Sequence, residues 1–412
     1  MHRRFQLCVL AVCATALLAP ACKPGAKLAA RRTGDLSNPP ALRREPVALY
    51  TDVCGDGQLT QQGNTVIERR PYLQGTTSKS VRVMFTVYPG ANGIEQTPLR
   101  VTDLEGRLVS AETPLADPSV ASGRQYQVQV EGLEPNQTYC YWLEGLSEPA
   151  GFRTAPEAGD DTTLRFIAFG DSGSGSSVQR AVRDQMQTVP FELMLHTGDI
   201  AYGQGTLEQF ERKFFGVYRD MLASAPVFPV PGNHDYETDR GAAYLQVFSL
   251  PDNGVRGQAE RWYGFDWGNV HFVALDTESL GAEQLAWLQE DLRGNTLPWT
   301  VVLLHRPPFS SGRHGPDRRV REQVWPLLEE YGVQLVLSGH DHHYERFQPI
   351  GGVTHVLTGG GGMSTRPAFP GPKTAFSEDV LHFVYGEVRD DSMVLHAIDG
   401  VGREFDTVRI AC

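Results

Sequence analysis

Three histidines and an aspartate lie together near the end of the chain, in the stretch SGHDHH at 338–343. The stretch follows VQLVL at 333–337, an apolar run with the length and composition of a buried strand. His340 and His342 are two positions apart, so alternation along an extended segment would direct both rings to one side. Imidazole nitrogens are common ligands of transition metals. The stretch therefore suggests a metal site at the end of a strand, although two histidines alone do not establish one.

The same arrangement occurs at four earlier places, where an apolar run ends and a turn carrying Asp, Asn or His follows. The turns are GDSG (170–173), TGDIAY (197–202), PGNHDY (231–236) and HRPPFSSGRH (305–314). Strand ends at one edge of an α/β sheet form ligand sites, because their loops stand on a rigid scaffold. Each turn alone is ordinary, since Gly-Asp forms many turns and a single histidine is often a core residue. Five such turns in order predict one shared site.

The elements around these turns predict two domains of different class. Residues 64–156 contain short alternating runs separated by turns, which is typical of an all-β sandwich. Residues 162–410 alternate apolar strands with helical segments, which predicts an α/β domain. One of those helices begins at Thr206, where Thr206 and Gln209 have the spacing of a capping box.

The N-terminus has the pattern of an export signal. Basic residues, an apolar run and small residues follow one another, which predicts a signal peptide over 1–21. LLAPAC at 17–22 resembles a bacterial lipobox and predicts a lipid on Cys22, with 22–63 as a lipid-anchored basic linker. Plain cleavage, with a periplasmic or secreted product, is the alternative. No later run of about 18 apolar residues exists, so no other membrane span is expected.

The formal net charge of the chain is −12, and removal of the two arginines in 1–21 makes it more negative. Such a chain is a poor general nucleic-acid binder. If its substrate is an anion, metal ions are the obvious source of local positive charge. Cys54, Cys140 and Cys412 remain after Cys22. A Cys54–Cys412 bridge with Cys140 as a buried thiol is one arrangement, and both the pairing and the oligomeric state stay open.

Taken together, the five turns resemble the motif set of the purple acid phosphatases, within the metallophosphoesterase superfamily. The family patterns are GD-x-G, GD-x-x-Y, GNH-[DE], V-x-x-H and GH-x-H. In this chain they read GDSG (170–173), GDIAY (198–202), GNHD (232–235), VLLH (302–305) and GHDH (339–342). The β-rich segment, with RPYLQ (70–74) and GFRTAP (151–156) near its ends, resembles the fibronectin-III-like domain of the larger members. The resemblance implies that 162–410 is an α/β catalytic domain of the metallophosphoesterase type, with two sheets flanked by helices.

The resemblance implies two metal ions held by seven residues. The first site would use Asp171, Tyr202 and His342, the second would use Asn233, His305 and His340, and Asp199 would bridge them. The hard anionic oxygens of the first site suit Fe³⁺, and the second set suits Fe²⁺, Zn²⁺ or Mn²⁺. Many metallophosphoesterases begin with D-x-H, whereas this chain has Gly173 in place of that histidine and gains Tyr202, which favours the purple acid type.

The resemblance also implies the reaction, which is hydrolysis of small-molecule phosphate monoesters by attack of a metal-bound hydroxide. His234 and His314 are the candidates to assist the leaving group, with Asp235 behind the site to orient His234. A phosphodiesterase on the same dinuclear scaffold is the alternative. A surface binding protein with an inactive catalytic domain is a third interpretation. Membrane contact is expected only through a lipid on Cys22.

Overall fold

The computed structural model describes residues 42, 50–118, 120, 123–255, 257–258, 260–389 and 391–411. The predicted signal peptide, the predicted lipid-attachment site Cys22, most of the predicted linker and Cys412 lie outside the described residues. Within the described part of the chain, no helix has the length and apolar character needed to cross a membrane.

The N-terminal part is formed by two four-stranded antiparallel sheets, ordered β1-β2-β6-β5 and β4-β3-β7-β8. The strands are β1 (Ile67–Gln74), β2 (Val81–Val87), β3 (Leu99–Thr102), β4 (Leu108–Glu112), β5 (Leu115–Ala116), β6 (Gln125–Val130), β7 (Thr138–Leu143) and β8 (Ala150–Arg153). Helix α1 (Gly63–Val66) precedes them, and a 3₁₀ turn spans Ile94–Gln96. Alternate residues of the strands meet in one apolar core that includes Leu73, Phe85, Val101 and Phe152.

A disulfide joins Cys54 to Cys140, 86 positions along the chain. It ties the segment that enters the sandwich to β7. The interpretation of Cys140 as a buried thiol is therefore wrong, and Cys54 pairs with it rather than with Cys412. The sequence could not distinguish the pairings, because any two of three cysteines are compatible with spacing alone.

The C-terminal part contains two mixed sheets, ordered β11-β10-β9-β19-β20-β21 and β12-β13-β14-β15-β17-β16-β18. The strands are β9 (Leu164–Phe169), β10 (Leu193–His196), β11 (Val227–Pro229), β12 (Tyr263–Trp267), β13 (Val270–Ala274), β14 (Trp299–Leu304), β15 (Leu335–Ser338), β16 (Tyr344–Phe347), β17 (Thr354–Thr358), β18 (Thr374–Glu378), β19 (His382–Arg389), β20 (Ser392–Asp399) and β21 (Glu404–Ala411). The runs β9-β10-β11 and β13-β14-β15-β17 are parallel. Parallel strands are covered on both faces, which explains their unbroken apolar sequences. The predicted fold class is confirmed.

Helices cover these sheets and connect their strands. They are α2 (Ser177–Met186), α3 (Leu207–Phe210), α4 (Gly216–Leu222), α5 (Asn233–Tyr236), α6 (Ala242–Val247), α7 (Ala282–Gly294) and α8 (Trp325–Glu330). A π-helical turn, Glu211–Phe215, joins α3 to α4, and a second, Val320–Val324, precedes α8. The capping box predicted at Thr206 and Gln209 is present at the start of α3.

The sandwich packs directly on the catalytic part. Tyr72 of β1 belongs to the core of the catalytic sheets, and its hydroxyl donates to the carbonyl of Val247 at 2.6 Å. Tyr141 of β7 likewise donates to the carbonyl of Ala223 at 2.8 Å. The buried Arg69 forms an ion pair with Glu211 of the π-helical turn. These contacts hold the sandwich against the helices that follow β10.

Candidate metal centre

Loops from both catalytic sheets meet at the carboxyl ends of their parallel strands. Asp171 follows β9, and the loop bearing Asp199 and Tyr202 follows β10. His305 follows β14, and the loop that carries His340 and His342 follows β15. The φ angles of Asp171, Asp199 and His340 are 54°, 55° and 74°. Such angles are uncommon outside glycine and here turn the chain sharply at the end of each strand.

The first group of candidate ligands is compact and buried. The hydroxyl of Tyr202 lies 2.9 Å from Oδ1 of Asp171 and 3.0 Å from Nε2 of His342. Nε2 of His342 lies 3.5 Å from the same carboxylate oxygen. A carboxylate, a phenol and an imidazole nitrogen thus converge on one point, as the sequence predicted for the first site.

The second group converges on Nε2 of His305, which is fully buried. This nitrogen lies 3.3 Å from Oδ1 of Asn233, 3.2 Å from Nδ1 of His340 and 3.5 Å from Oδ1 of Asp199. Ligand atoms of Asp199, His305 and His340 all lie within 4.8 Å of one another. The structure therefore brings together all four residues proposed for the second site.

Asp199 lies between the two groups. Its Oδ1 faces His305, and its carboxylate also interacts with the Tyr202 hydroxyl. The backbone N–H of His234 donates to Oδ1 of Asp199 at 2.9 Å, which fixes the direction of the carboxylate. This is the position that a bridging ligand requires.

Backbone carbonyls set the protonation of two candidate histidine ligands. Nδ1 of His342 lies 3.0 Å from the carbonyl of Ser364, and Nδ1 of His305 lies 2.8 Å from the carbonyl of Thr197. A carbonyl only accepts, so each Nδ1 carries a proton and Nε2 is the nitrogen that each ring turns towards the centre. His340 differs, because Nδ1 is the nitrogen that faces His305, while Nε2 lies 3.4 Å from Nη1 of Arg306, a group that only donates.

The donor set fits metal ions. Nε2 of His305 faces oxygen acceptors of Asn233 and Asp199, an arrangement that a cation stabilises. Burial, together with the charges of Asp171 and Asp199, raises the pKa of Tyr202 well above its usual value. Burial also opposes ionisation of Asp171, but the hydrogen bond from His342 and nearby histidine charges lower its pKa. Buried anionic groups of this kind require compensating positive charge, which metal ions would supply.

Gly173 distinguishes this site from those that begin with D-x-H. A Cβ atom at position 173 would lie 2.0 Å from the carbonyl oxygen of Ile200 and 2.8 Å from the backbone nitrogen of Ala201. No side chain fits there without moving the loop that carries Asp199 and Tyr202. A histidine at 173 is therefore incompatible with this close approach between the loops.

Asp235 has a different role from the expected one. Its buried carboxylate accepts from the backbone N–H groups of Gly232, Ile200 and Ala201 at 2.9–3.1 Å. It does not contact the ring of His234, so the expectation that it orients this ring is wrong. Burial, and then the charge of Asp199, raises the pKa of Asp235 to about 7. Asp235 instead fastens the loop after β10 to the start of α5.

His234 has other partners. Its Nδ1 lies 2.7 Å from the carbonyl of Gly203 and 3.0 Å from Oε1 of Glu237. Its ring lies 4.4 Å from the ring of Tyr202, measured between centroids. His234 is therefore placed beside the first group, with Nδ1 occupied and Nε2 left as its remaining polar atom.

His314 lies on the opposite flank. Its ring centroid is 4.6 Å from that of His340. Asp341 holds the loop by accepting from the backbone N–H groups of His314 and Gly315 at 2.9 and 3.2 Å. Partial burial lowers the pKa of His314, and the charge of Arg366 adds to this effect. The structure thus places the two candidate histidines on either side of the seven converging ligands.

Sequence reasoning did not find Glu237, Ser364, Asp341 or Arg366 as parts of this neighbourhood. Asp341 lies between His340 and His342 in the sequence, and this position could have identified it as part of the site. Arg366 and Ser364 lie in the segment after β17, where no residue spacing points to the site. His343 is fully buried, and its Nε2 lies 3.1 Å from Oε2 of Glu345.

Comparison with known proteins agrees with this architecture. Residues 164–344 match the family described as calcineurin-like phosphoesterase. Purple acid phosphatase 21 of Arabidopsis thaliana is 29% identical over 243 residues, which cover 56% of this chain and 54% of the relative. Human acid phosphatase type 7 is 28% identical over 320 residues, which cover 64% of this chain and 71% of the relative. The chain thus spans about half the length of the Arabidopsis protein.

Among solved structures, a purple acid phosphatase from yellow lupin (Lupinus luteus) seeds matches with a TM-score of 0.71 and 21% identity. That match covers 83% of this chain and 74% of the lupin chain. At this identity the match supports the fold alone. Residues 164–344 thus match the calcineurin-like phosphoesterase family, and the fold is that of the lupin structure. In sequence, the chain is similar to purple acid phosphatase 21 and to acid phosphatase type 7 over 56% and 64% of its length.

Proposed function

We propose that the chain is an exported, metal-dependent phosphoric monoester hydrolase of the purple acid phosphatase type. The observation that carries the proposal is the convergence of seven candidate ligands in two groups that share Asp199. When bound, two metal ions would supply positive charge for the phosphate group and lower the pKa of the attacking water. Asp171, Tyr202 and His342 would hold one ion, and Asn233, His305 and His340 the other.

The donor atoms support particular metals. Two carboxylates and a phenol oxygen around the first position suit Fe³⁺, since hard anionic oxygens favour a hard, highly charged ion. Two imidazoles, an amide oxygen and the shared carboxylate suit Fe²⁺, Zn²⁺ or Mn²⁺ at the second position. The crowding around Gly173 supports the purple acid type, because it excludes the histidine of the D-x-H pattern.

The residues of this chain would position the substrate and move a proton. His234 would assist the leaving group through Nε2, because Nδ1 is engaged by Gly203 and Glu237. The carboxylate of Glu237, 3.0 Å from Nδ1, helps to hold the orientation of the ring. His314 lies on the other flank, beside His340, and would contact the ester from that side.

Export is part of the proposal. The disulfide between Cys54 and Cys140 supports it, because disulfides persist in oxidising compartments and are rare in the cytosol. A lipid on Cys22 would keep the enzyme at a membrane surface, and cleavage without lipid would release it. Small organic phosphate esters outside the cytoplasm would be the substrates.

The deciding experiment compares kcat/KM for a chromogenic phosphate monoester and its matching diester between pH 4 and 9. The protein would be loaded with iron and zinc. Strong monoester preference with an acidic optimum is the expected result. Preference for the diester would replace the proposal with a phosphodiesterase on the same scaffold. Failure to hydrolyse either compound, with both metals bound, would favour a binding protein with an inactive catalytic domain.

A further inference from the structure

A glycine-rich segment after β17, residues 359–371, passes along the mouth of the metal centre. The backbone N–H of Met363 donates to the carbonyl of Asp171 at 3.0 Å, and that of Arg366 donates to the carbonyl of His342 at 2.9 Å. A Cβ atom at Gly359 would lie 2.2 Å from the carbonyl oxygen of Asp341, so this approach requires glycine. Backbone contacts with the ligand loops therefore fix the position of Arg366.

The guanidinium of Arg366 reaches His314. Its Nη1 donates to Nε2 of His314 at 2.7 Å, and the ring of His314 lies 4.6 Å from that of His340. Arg366 is therefore one imidazole further from the candidate metal ligands than His314 is. A guanidinium offers five N–H donors in a planar fork that suits phosphate and carboxylate oxygens, and the bond to His314 uses one of them.

A second arginine adjoins the first. Arg313 is exposed, and its charge acts on His314 together with that of Arg366. Among the ion pairs of the described residues, none includes either arginine, whereas Arg306 is paired with Glu278 at 2.7 Å. In a chain with a net charge of −12, two arginines without carboxylate partners give the mouth a local positive charge.

We propose that Arg366 and Arg313 form a second anion subsite, which binds a further negative group on the leaving side of the substrate. This inference rests on the proposed function. The Arg366 side chain is bonded to His314, which lies beside the candidate ligand His340, so we place the guanidinium next to the reacting phosphate rather than on it. A second phosphate or carboxylate on the leaving group would meet the guanidinium directly. The favoured substrates are therefore phosphoanhydrides, and phosphate esters whose leaving group carries another anionic group.

The subsite has a chemical consequence for the leaving group. In hydrolysis of a phosphoanhydride, the oxygen of water bonds to the terminal phosphorus and its proton passes to solvent. The bond from phosphorus to the bridging oxygen breaks, and the electron pair stays on the departing phosphate. Two arginines would stabilise that charge, so the departing group needs less help from a proton donor. An alcohol leaving group that carries no anionic group gains nothing from them and still needs a proton.

The test uses the full chain loaded with iron and zinc, in the wild type, Arg366→Gln and Arg366→Lys. Inorganic pyrophosphate, phosphoglycolate and 4-nitrophenyl phosphate are compared by kcat/KM. Arg366→Gln is expected to lower kcat/KM for inorganic pyrophosphate and phosphoglycolate by at least about tenfold more than for 4-nitrophenyl phosphate. Arg366→Lys keeps part of the preference, since it retains charge without the planar fork. The exposed Arg293 provides the matched control, Arg293→Gln.

The pyrophosphate and phosphoglycolate results separate a phosphate-specific subsite from one that accepts any anion. Equal loss for all three substrates, or no loss for any, would overturn the inference. A binding measurement accompanies the kinetics, with methylenediphosphonate and orthophosphate titrated calorimetrically into wild type and Arg366→Gln. Selective weakening of the diphosphonate supports the subsite. Failure of the wild type to hydrolyse 4-nitrophenyl phosphate would contradict the proposed function instead, and the calorimetric comparison would still decide the subsite.

Discussion

Tyr202 is the candidate ligand through which bound Fe³⁺ would be detected by visible absorption. Its hydroxyl contacts Asp171 and His342, and a phenolate bound to Fe³⁺ would give a visible absorption band. Tyr202→Phe is expected to abolish that band while the far-ultraviolet circular dichroism stays unchanged, because the ring still packs against its neighbours. Tyr88→Phe, on the exposed surface of the sandwich, serves as the control. A coloured Tyr202→Phe protein would disprove the pairing of Tyr202 with iron.

Asp199 is predicted to serve both metals. Its carboxylate lies between the Tyr202 group and the His305 group, so Asp199→Ala removes one ligand from each. We expect the variant to lose both ions, measured as moles of metal per mole of chain by mass spectrometry. Asp103→Ala in the sandwich should keep the wild-type content. Two tightly bound ions in Asp199→Ala would contradict the bridging role.

At the residue scale, the sequence predicted the candidate ligands but not their supports. The ligands follow apolar strands in short motifs, and their chemistry is visible in the residue type. Supporting contacts depend on the fold, as when Asp235 bonds to the backbone of Ile200 rather than to the ring of His234. Glu237 and Ser364 act on ligand-side histidines through contacts that no spacing indicates. Such partners become predictable only once the loops are placed.

Two loops meet at Gly173 with no room for a side chain. A Cβ atom there would lie 2.0 Å from the carbonyl oxygen of Ile200. Gly173→Ala is therefore expected to shift the loop after β10, to destabilise the fold by about 2 kcal/mol or more, and to lower metal content. Urea unfolding and metal analysis measure both effects. Gly294→Ala, at an open position in α7, is the matched control. Wild-type metal content in Gly173→Ala would show that the two loops can move apart without loss of metal binding.

His271 joins α7 to the edge of the second sheet. It lies on β13, between Asp266 of β12 at 2.6 Å and Asp291 of α7 at 2.8 Å. Burial opposes its protonation, but the two carboxylates raise its pKa to about 9. Since the unfolded value is about 6.5, this contribution is complete below pH 6.5 and is lost as the pH rises through 9.

The contacts of His271 with Asp266 and Asp291 thus predict a pH dependence of stability. Between pH 6 and 10, the wild type should lose on the order of 2 kcal/mol more than His271→Asn, measured as the free energy of unfolding in urea. His234 has other partners, Gly203 and Glu237, so His234→Asn should retain the wild-type pH dependence. Parallel curves for wild type and His271→Asn would mean that the carboxylates do not hold the proton.

Elements were predicted best where a local pattern determines them. The capping box at Thr206 and the apolar parallel strands depend on neighbouring residues, and both are present. The π-helical turn Glu211–Phe215 within the next helix was not predicted, because its extra residue is set by packing on the sandwich. The backbone bonds from the segment 359–371 to the ligand loops were not predicted, because they follow from tertiary structure.

Across the whole molecule, the sandwich is connected to the metal centre through one short element. Glu211 in the π-helical turn pairs with Arg69 of the sandwich, and Arg69 also contacts the hydroxyl of Tyr72 at 2.9 Å. Two positions further on, Nζ of Lys213 donates to the carbonyl of Tyr202. The same turn therefore contacts both the domain boundary and the loop of a candidate ligand, so the sandwich supports the centre without contributing a ligand to it.

This connection predicts a non-additive effect. Arg69 is buried, with its guanidinium 4.0 Å from the centre of the Phe215 ring, so Arg69→Met leaves Glu211 without its cation. We expect a loss of about 2 kcal/mol in urea unfolding, and recovery of most of it in Arg69→Met/Glu211→Leu, where both charges are removed. Arg70→Met breaks the more exposed pair with Asp220 and should cost less. If the losses of Arg69→Met and of Glu211→Leu, each measured alone, simply add in the double variant, Arg69 and Glu211 are not coupled. A change in the Tyr202 iron band of Arg69→Met, restored in the double variant, would extend the coupling to the metal centre.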